Sequence, residues 1–160
     1  MTPADLSALR LSAYRRLYFE DATMDDSVQA LHEAWKEAEE GITACRRQLR
    51  GATTAEEKAS LLLTLLVLQQ VAPRDFALLD ETMDKAVALL PEVRDDSLRA
   101  RLLVHLAAET EDEEYLTEAR QLLGKKTTDI RTSEEYRYIL LTLQSIENWE
   151  MNREQLSFGF

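Results

Sequence analysis

The chain has 160 residues, a formal net charge of −11, and only seven Gly and Pro residues, four plus three. With 45% hydrophobic and 31% charged residues it reads as one globular domain with a core, and the shortage of turn residues argues against sandwiches, barrels and Gly-rich phosphate loops. The acidic balance argues against direct nucleic-acid binding and against docking on an anionic membrane, since both need clustered cations.

The start, Met1-Thr2-Pro3-Ala4-Asp5, has neither a basic nor an apolar signal region. The longest apolar stretch, Ala59 to Ala72, is broken by Ser60, Thr64, Gln69 and Gln70 and stops at Pro73. As a helix it covers roughly 21 Å, short of a bilayer core. Cys45 is the single cysteine, so no internal disulfide forms, and the expected compartment is cytoplasmic.

Helical periodicity runs through nearly the whole chain and predicts seven helices. The first, Pro3 to Glu20, has Thr2 as N-cap. Leu6, Leu9, Ala13 and Leu17 form one apolar stripe and Leu11, Tyr14 and Tyr18 a second, which implies two neighbours. The second helix follows Asp25-Asp26-Ser27 and ends before Gly51. Its residues Val28, Leu31, Trp35, Ala38, Ile42, Cys45 and Leu49 alternate at spacings of three and four, a heptad seam. That seam packs within the chain or, as the alternative, forms a homodimer. Arg46, Arg47 and Arg50 suit the negative end of the helix dipole.

The third helix opens with a capping box, Thr54 and Glu57, and is apolar nearly all round from Leu61 to Leu68, which places it centrally. Pro73 ends it. The fourth, Arg74 to Leu90, is expected to bury Phe76, Leu79, Met83, Ala86, Val87 and Leu90. The fifth, Ser97 to Glu109, offers Leu98, Leu102, Leu103, Val104 and Leu106. The sixth opens at a Thr110–Glu113 capping box and runs to Gly124. The seventh opens at a Thr132–Glu135 box and carries Tyr136, Ile139, Leu140, Leu143, Ile146 and Trp149. Residues 1–150 thus form one all-helical domain. Residues 151–160 follow as a tail whose Phe158 and Phe160 dock on the same chain or on a neighbour.

The words Leu62-Leu63-Thr64-Leu65, Leu102-Leu103-Val104-His105 and Leu140-Leu141-Thr142-Leu143 recur at spacings of 40 and 38. Met83 to Leu90 also aligns with Leu116 to Leu123 at an offset of 33. This is the pattern of stacked helical hairpins that complete each other's cores. Phe76, Met83, Ala86 and Pro91 stand at the early aromatic, later large apolar, small and closing-proline positions, so this segment resembles the second helix of a tetratricopeptide repeat. Leu79, Val67, Gln70 and Gly124 depart from the motif. Over about residues 58–124 the resemblance implies an all-α fold of stacked antiparallel helical hairpins, an α–α superhelix. A compact helical bundle is the alternative.

Catalytic chemistry finds little support. His32 and His105 are preceded three residues back by Gln29 and Leu102, so the Glu-x-x-His pattern is missing. His105 and Glu109 could form one edge of a metal site, or His105 is a surface or partly buried residue near a helix end. Cys45 lies on an apolar seam, where burial makes a thiol inert. No nucleophile elbow, phosphate loop or dinucleotide fingerprint occurs. The acids between Glu109 and Glu114 suit a solvated helix start. No catalytic, cofactor-binding or metal-binding residue is assigned, no cofactor is expected, and the chain is read as a non-enzyme.

After the core stripes are filled, Tyr14, Arg15, Tyr18, Arg99, Arg101, Tyr136, Arg137 and Tyr138 remain. Tyr and Arg are enriched at interface hot spots, although the tyrosines also suit core-edge packing with wet hydroxyls. The expected function is a protein- or peptide-binding module such as a small adaptor, chaperone or regulator. The alternatives are an acidic mimic occupying a basic nucleic-acid-binding partner, and a small helical enzyme clamping an anion with Arg10, Arg15 and Arg46.

Overall fold

Thr2, Thr54, Asp75, Asp95 and Asp112 each cap a helix start by accepting from a backbone N–H of its first turn. The structure, a computed structural model, describes residues 1–18, 28–125 and 134–158, with side chains only as far as residue 148. Seven α-helices occur among the described residues: α1 (Pro3–Tyr18), α2 (Val28–Gly51), α3 (Ala55–Val71), α4 (Phe76–Leu89), α5 (Asp96–Thr110), α6 (Glu113–Leu123) and α7 (Glu134–Phe158). A 3-10 turn, Leu90–Glu92, follows α4, and the described residues contain no strand. No helix among them is long and apolar enough to cross a membrane.

Two of the expected caps form. Thr2 Oγ1 accepts from the Asp5 N–H at 3.1 Å while the Asp5 carboxylate accepts from the Thr2 N–H at 2.8 Å. Thr54 Oγ1 accepts from the Glu57 N–H at 3.2 Å. One other is corrected. Thr110 is the last residue of α5, its hydroxyl donating to the Leu106 carbonyl, and Asp112 caps α6 by accepting from the Glu114 N–H. The Glu135 carboxylate, expected in the seventh capping box, accepts from two arginines inside the core. Thr132, the Asp25-Asp26-Ser27 start and Phe160 lie outside the described residues. So do the side chains of Trp149 and Phe158. Helix α7 continues to Phe158 through most of the stretch read as a tail.

The architecture is the all-helical one that the periodicity implies. Short turns make α2/α3 and α5/α6 antiparallel hairpins, and α3 and α5 lie side by side at the centre. Helix α3 packs against α1, α2, α4 and α5, which accounts for its unbroken run of buried residues from Leu62 to Gln69. Helix α7 lies on the other flank of α5, and α1 crosses from α3 to α7.

The heptad seam of α2 is filled only along its second half, where Ala38 and Cys45 are buried within the chain. Helix α2 has 24 residues against 17 in α3, so its N-terminal turns overhang the hairpin and leave Val28, Leu31 and Trp35 exposed. Gly41 sits in the filled half. A Cβ there would lie 2.5 Å from Leu9 Cδ2 and 2.7 Å from Leu68 Cδ1, so the missing side chain lets α1 and α3 close on α2. The expected burial of Phe76 and Val87 is corrected. Helix α4 leans on α3 with one face only, leaving Val87 outside, while Phe76 at its first turn is 68% exposed beneath the Arg74 guanidinium.

Candidate functional site

Residues four apart on a helix lie along one face, and on α1 the row Arg10, Tyr14 and Tyr18 faces three helices in turn. The Arg10 guanidinium donates to Thr64 of α3 at 2.8 Å and to both carboxylate oxygens of Glu135 of α7, at 2.8 and 3.2 Å. The Tyr14 hydroxyl lies 2.5 Å from His105 Nε2 on α5. The Tyr18 hydroxyl is 2.6 Å from Thr142 Oγ1 on α7. Thr64, His105 and Thr142 are the polar members of the three recurring leucine words. Thr64 and Thr142 take the third position of the word and His105 the fourth, so α1 ties together one polar side chain from each of α3, α5 and α7.

Arg101 extends this network by donating to Glu135 at 2.5 Å. Burial works to raise the Glu135 pKa, but the two guanidiniums outweigh it and hold the carboxyl below its ordinary value. Burial drives His105 down to about 4 and pushes the Tyr14 phenol far up, so both rings are neutral near pH 7. Tyr138 stacks on Tyr14 with ring centres 5.2 Å apart and planes within 3°.

These contacts correct part of the expected partner surface. Tyr14 and Tyr138 are fully enclosed and cannot touch a partner. Arg101 is spent on Glu135. Tyr18 is half-buried and lines a hollow of about 320 Å³ with Gln70, Thr142 and Ile146. Arg15 is exposed and pairs with Glu134 at 2.6 Å, while Arg99 pairs with Glu118 at 2.6 Å and also donates to the Leu90 carbonyl. Tyr136 is half-buried and Arg137 exposed on the first turn of α7. The eight residues do not form one surface.

Arg10, Arg15 and Arg46 do not converge either. Arg10 is neutralised in the core, Arg15 is paired outside it, and Arg46 lines a groove with α3 and α4. His105 is a core residue rather than a peripheral one, and Glu109 pairs with Arg74 instead of facing it. No group of three His, Cys, Asp or Glu residues that could hold a metal occurs among the described residues. His32 is exposed and meets Trp35 edge-on at 5.4 Å. Burial pushes the Cys45 thiol up to about 12, consistent with an inert core cysteine.

The groove was not foreseen from the sequence. It is a cavity of about 430 Å³ bounded by the last turns of α2, the first half of α3 and α4. Lys58, Leu62 and Leu65 recur at helical spacing along α3, and Leu78, Thr82, Lys85 and Leu89 along α4, so each helix turns one continuous wall towards the cavity. Leu62, Leu65 and Leu89 are buried, and Leu49 and Leu78 are partly exposed. The rim carries Arg46, Arg50, Lys58 and Lys85, with Glu81 and Glu92 as its acids. Lys85 pairs with Glu81 at 2.9 Å and holds that carboxyl below its ordinary value. Among the described residues, no hydrogen bond or ion pair engages the side chain of Arg50 or Lys58.

The fold is similar to that of UpxZ from Bacteroides uniformis ATCC 8492, a transcription anti-terminator antagonist. The TM-score is 0.70 at 20% identity, over 92% of this chain and 94% of that one. No family model matches the chain, and no curated protein matches it.

Proposed function

We propose that the chain is a non-enzymatic protein-binding regulator, and more specifically an antagonist of a transcription anti-terminator. One observation carries this reading: the likeness to UpxZ extends over nearly the full length of both chains, so it concerns a whole domain and not a shared hairpin. Arg10, Tyr14 and Glu135 are engaged in interhelical contacts, while an amphipathic groove is left open, and both features suit a binding protein better than a catalyst. The row α3–α5–α7, flanked by α4 and α6, supports a tetratricopeptide-like description of residues 58–124. A regulator of this kind works in the cytoplasm and needs neither cofactor nor membrane.

The test is transcription through a terminator with purified polymerase and an anti-terminator from the source organism. Stoichiometric addition of the chain lowers read-through, and the chain co-elutes with the anti-terminator. Unchanged read-through with no complex contradicts the reading.

A further inference from the structure

We propose that the groove between α2, α3 and α4 docks an acidic amphipathic helix from a protein partner. Its apolar side chains rest on Leu49 and Leu78, the partly exposed leucines over the buried Leu62, Leu65 and Leu89, and its carboxylates meet Arg50 and Lys58. This deepens the protein-binding reading above and rests on it.

Charge is the first argument. In a chain of net charge −11 this rim gathers four cations against two acids, and one of those acids is already paired with Lys85. Arg50 and Lys58 are left with no counterion among the described residues. An occupant with carboxylates completes them, whereas a basic one is repelled.

Shape is the second argument. The α4 wall runs from Leu78 to Leu89, about 16 Å at 1.5 Å per residue, which matches three turns of a docked helix. Leu49 and Leu78 remain partly uncovered and supply the apolar anchoring, above a floor closed by Leu62, Leu65 and Leu89. Among the described residues, no aromatic side chain lines the groove, so bases would find no stacking platform. Cations spread over the α2, α3 and α4 sides suit a chain bearing several carboxylates better than a ligand with a single anionic head.

The test uses the full chain and a fluorescein-labelled 15-residue helical peptide of leucines at i, i+3, i+4 and i+7 with glutamates between them. A control peptide replaces every glutamate with lysine. The acidic peptide binds and shifts the amide signals of Leu62, Leu65 and Leu89. Arg50→Glu and Lys58→Glu each weaken it about tenfold, and Arg120→Glu on α6 leaves it unchanged. Circular dichroism melts verify that the variants fold.

Equal binding of the two peptides, binding of neither, or shifts confined to another face overturns the proposal. So does dodecanoate moving the groove signals where the peptide does not. A dimer dissolved by Arg50→Glu would show that a second copy is the occupant, and would also overturn it. The read-through assay separates the two claims. Suppression of read-through by a chain that ignores the acidic peptide removes the groove and keeps the regulator, whereas peptide binding without suppression does the reverse.

Discussion

The Tyr14 hydroxyl and His105 Nε2 lie 2.5 Å apart between α1 and α5, both rings excluded from solvent. A buried polar group that loses its partner keeps its desolvation cost. Tyr14→Phe keeps the ring that stacks on Tyr138 but strands His105. It should lower unfolding free energy by about 1–3 kcal/mol, read from urea midpoints.

The same pair gives stability a pH dependence. His105 has a folded pKa of about 4 against an ordinary 6.5, so below pH 6.5 the unfolded chain binds more protons and stability falls as the pH drops. Between pH 6.5 and 5 this amounts to about 2 kcal/mol. Glu135, also held below its ordinary value, adds loss of the same sign only at more acidic pH. Urea midpoints at pH 7 and 5 should therefore separate less in His105→Gln than in the native chain.

Among the described residues, Glu135 is the single counterion of Arg10 and Arg101 within hydrogen-bond reach. Glu135→Gln leaves two poorly solvated guanidiniums without a charge partner and should cost about 3–5 kcal/mol. Arg10→Met combined with Glu135→Leu should cost less than Glu135→Gln alone. A thermal melt of the two variants compares them directly.

Gly41 and Gly51 should respond in opposite directions. Gly41→Leu forces a side chain between Leu9 and Leu68 and should destabilise by about 1–3 kcal/mol. Gly51 has nothing within 4 Å of an added Cβ, so Gly51→Ala should stabilise by about 0.4–1 kcal/mol. Chemical denaturation of both variants reads the contrast.

Cys45 should resist alkylation in the native chain, since its thiol is buried and its pKa is near 12. Iodoacetamide at pH 8 should label it only in denaturant. Rapid labelling of the folded chain would show that the α2 seam opens.

What the sequence shows clearly is whatever depends on short-range periodicity. The all-apolar run of α3 announces a central helix, and the Thr54 capping box fixes where it begins. The recurring leucine words locate the three helices that α1 joins. What is hidden depends on which face a neighbour covers. Arg10 looks like an ordinary surface arginine, and only the meeting of α1 and α7 shows that it is buried on Glu135. Glu135 gives no sign in the sequence that it is buried, for the same reason. Tyr14 and Tyr18 stand four apart and look equivalent, yet one is enclosed and the other borders a hollow. Arg46 and Arg50 are satisfied, on paper, by a helix dipole. Their meeting with Lys58 and Lys85 requires the α2/α3 turn and the lean of α4 to be known.

The most direct test of the account is terminator read-through with purified anti-terminator, comparing the native chain with the Arg50→Glu/Lys58→Glu variant. The native chain should suppress read-through, and the variant, folded by circular dichroism, should need about tenfold more protein for the same effect. Suppression by both at equal concentration, or by neither, contradicts a regulator that grips its partner through this groove.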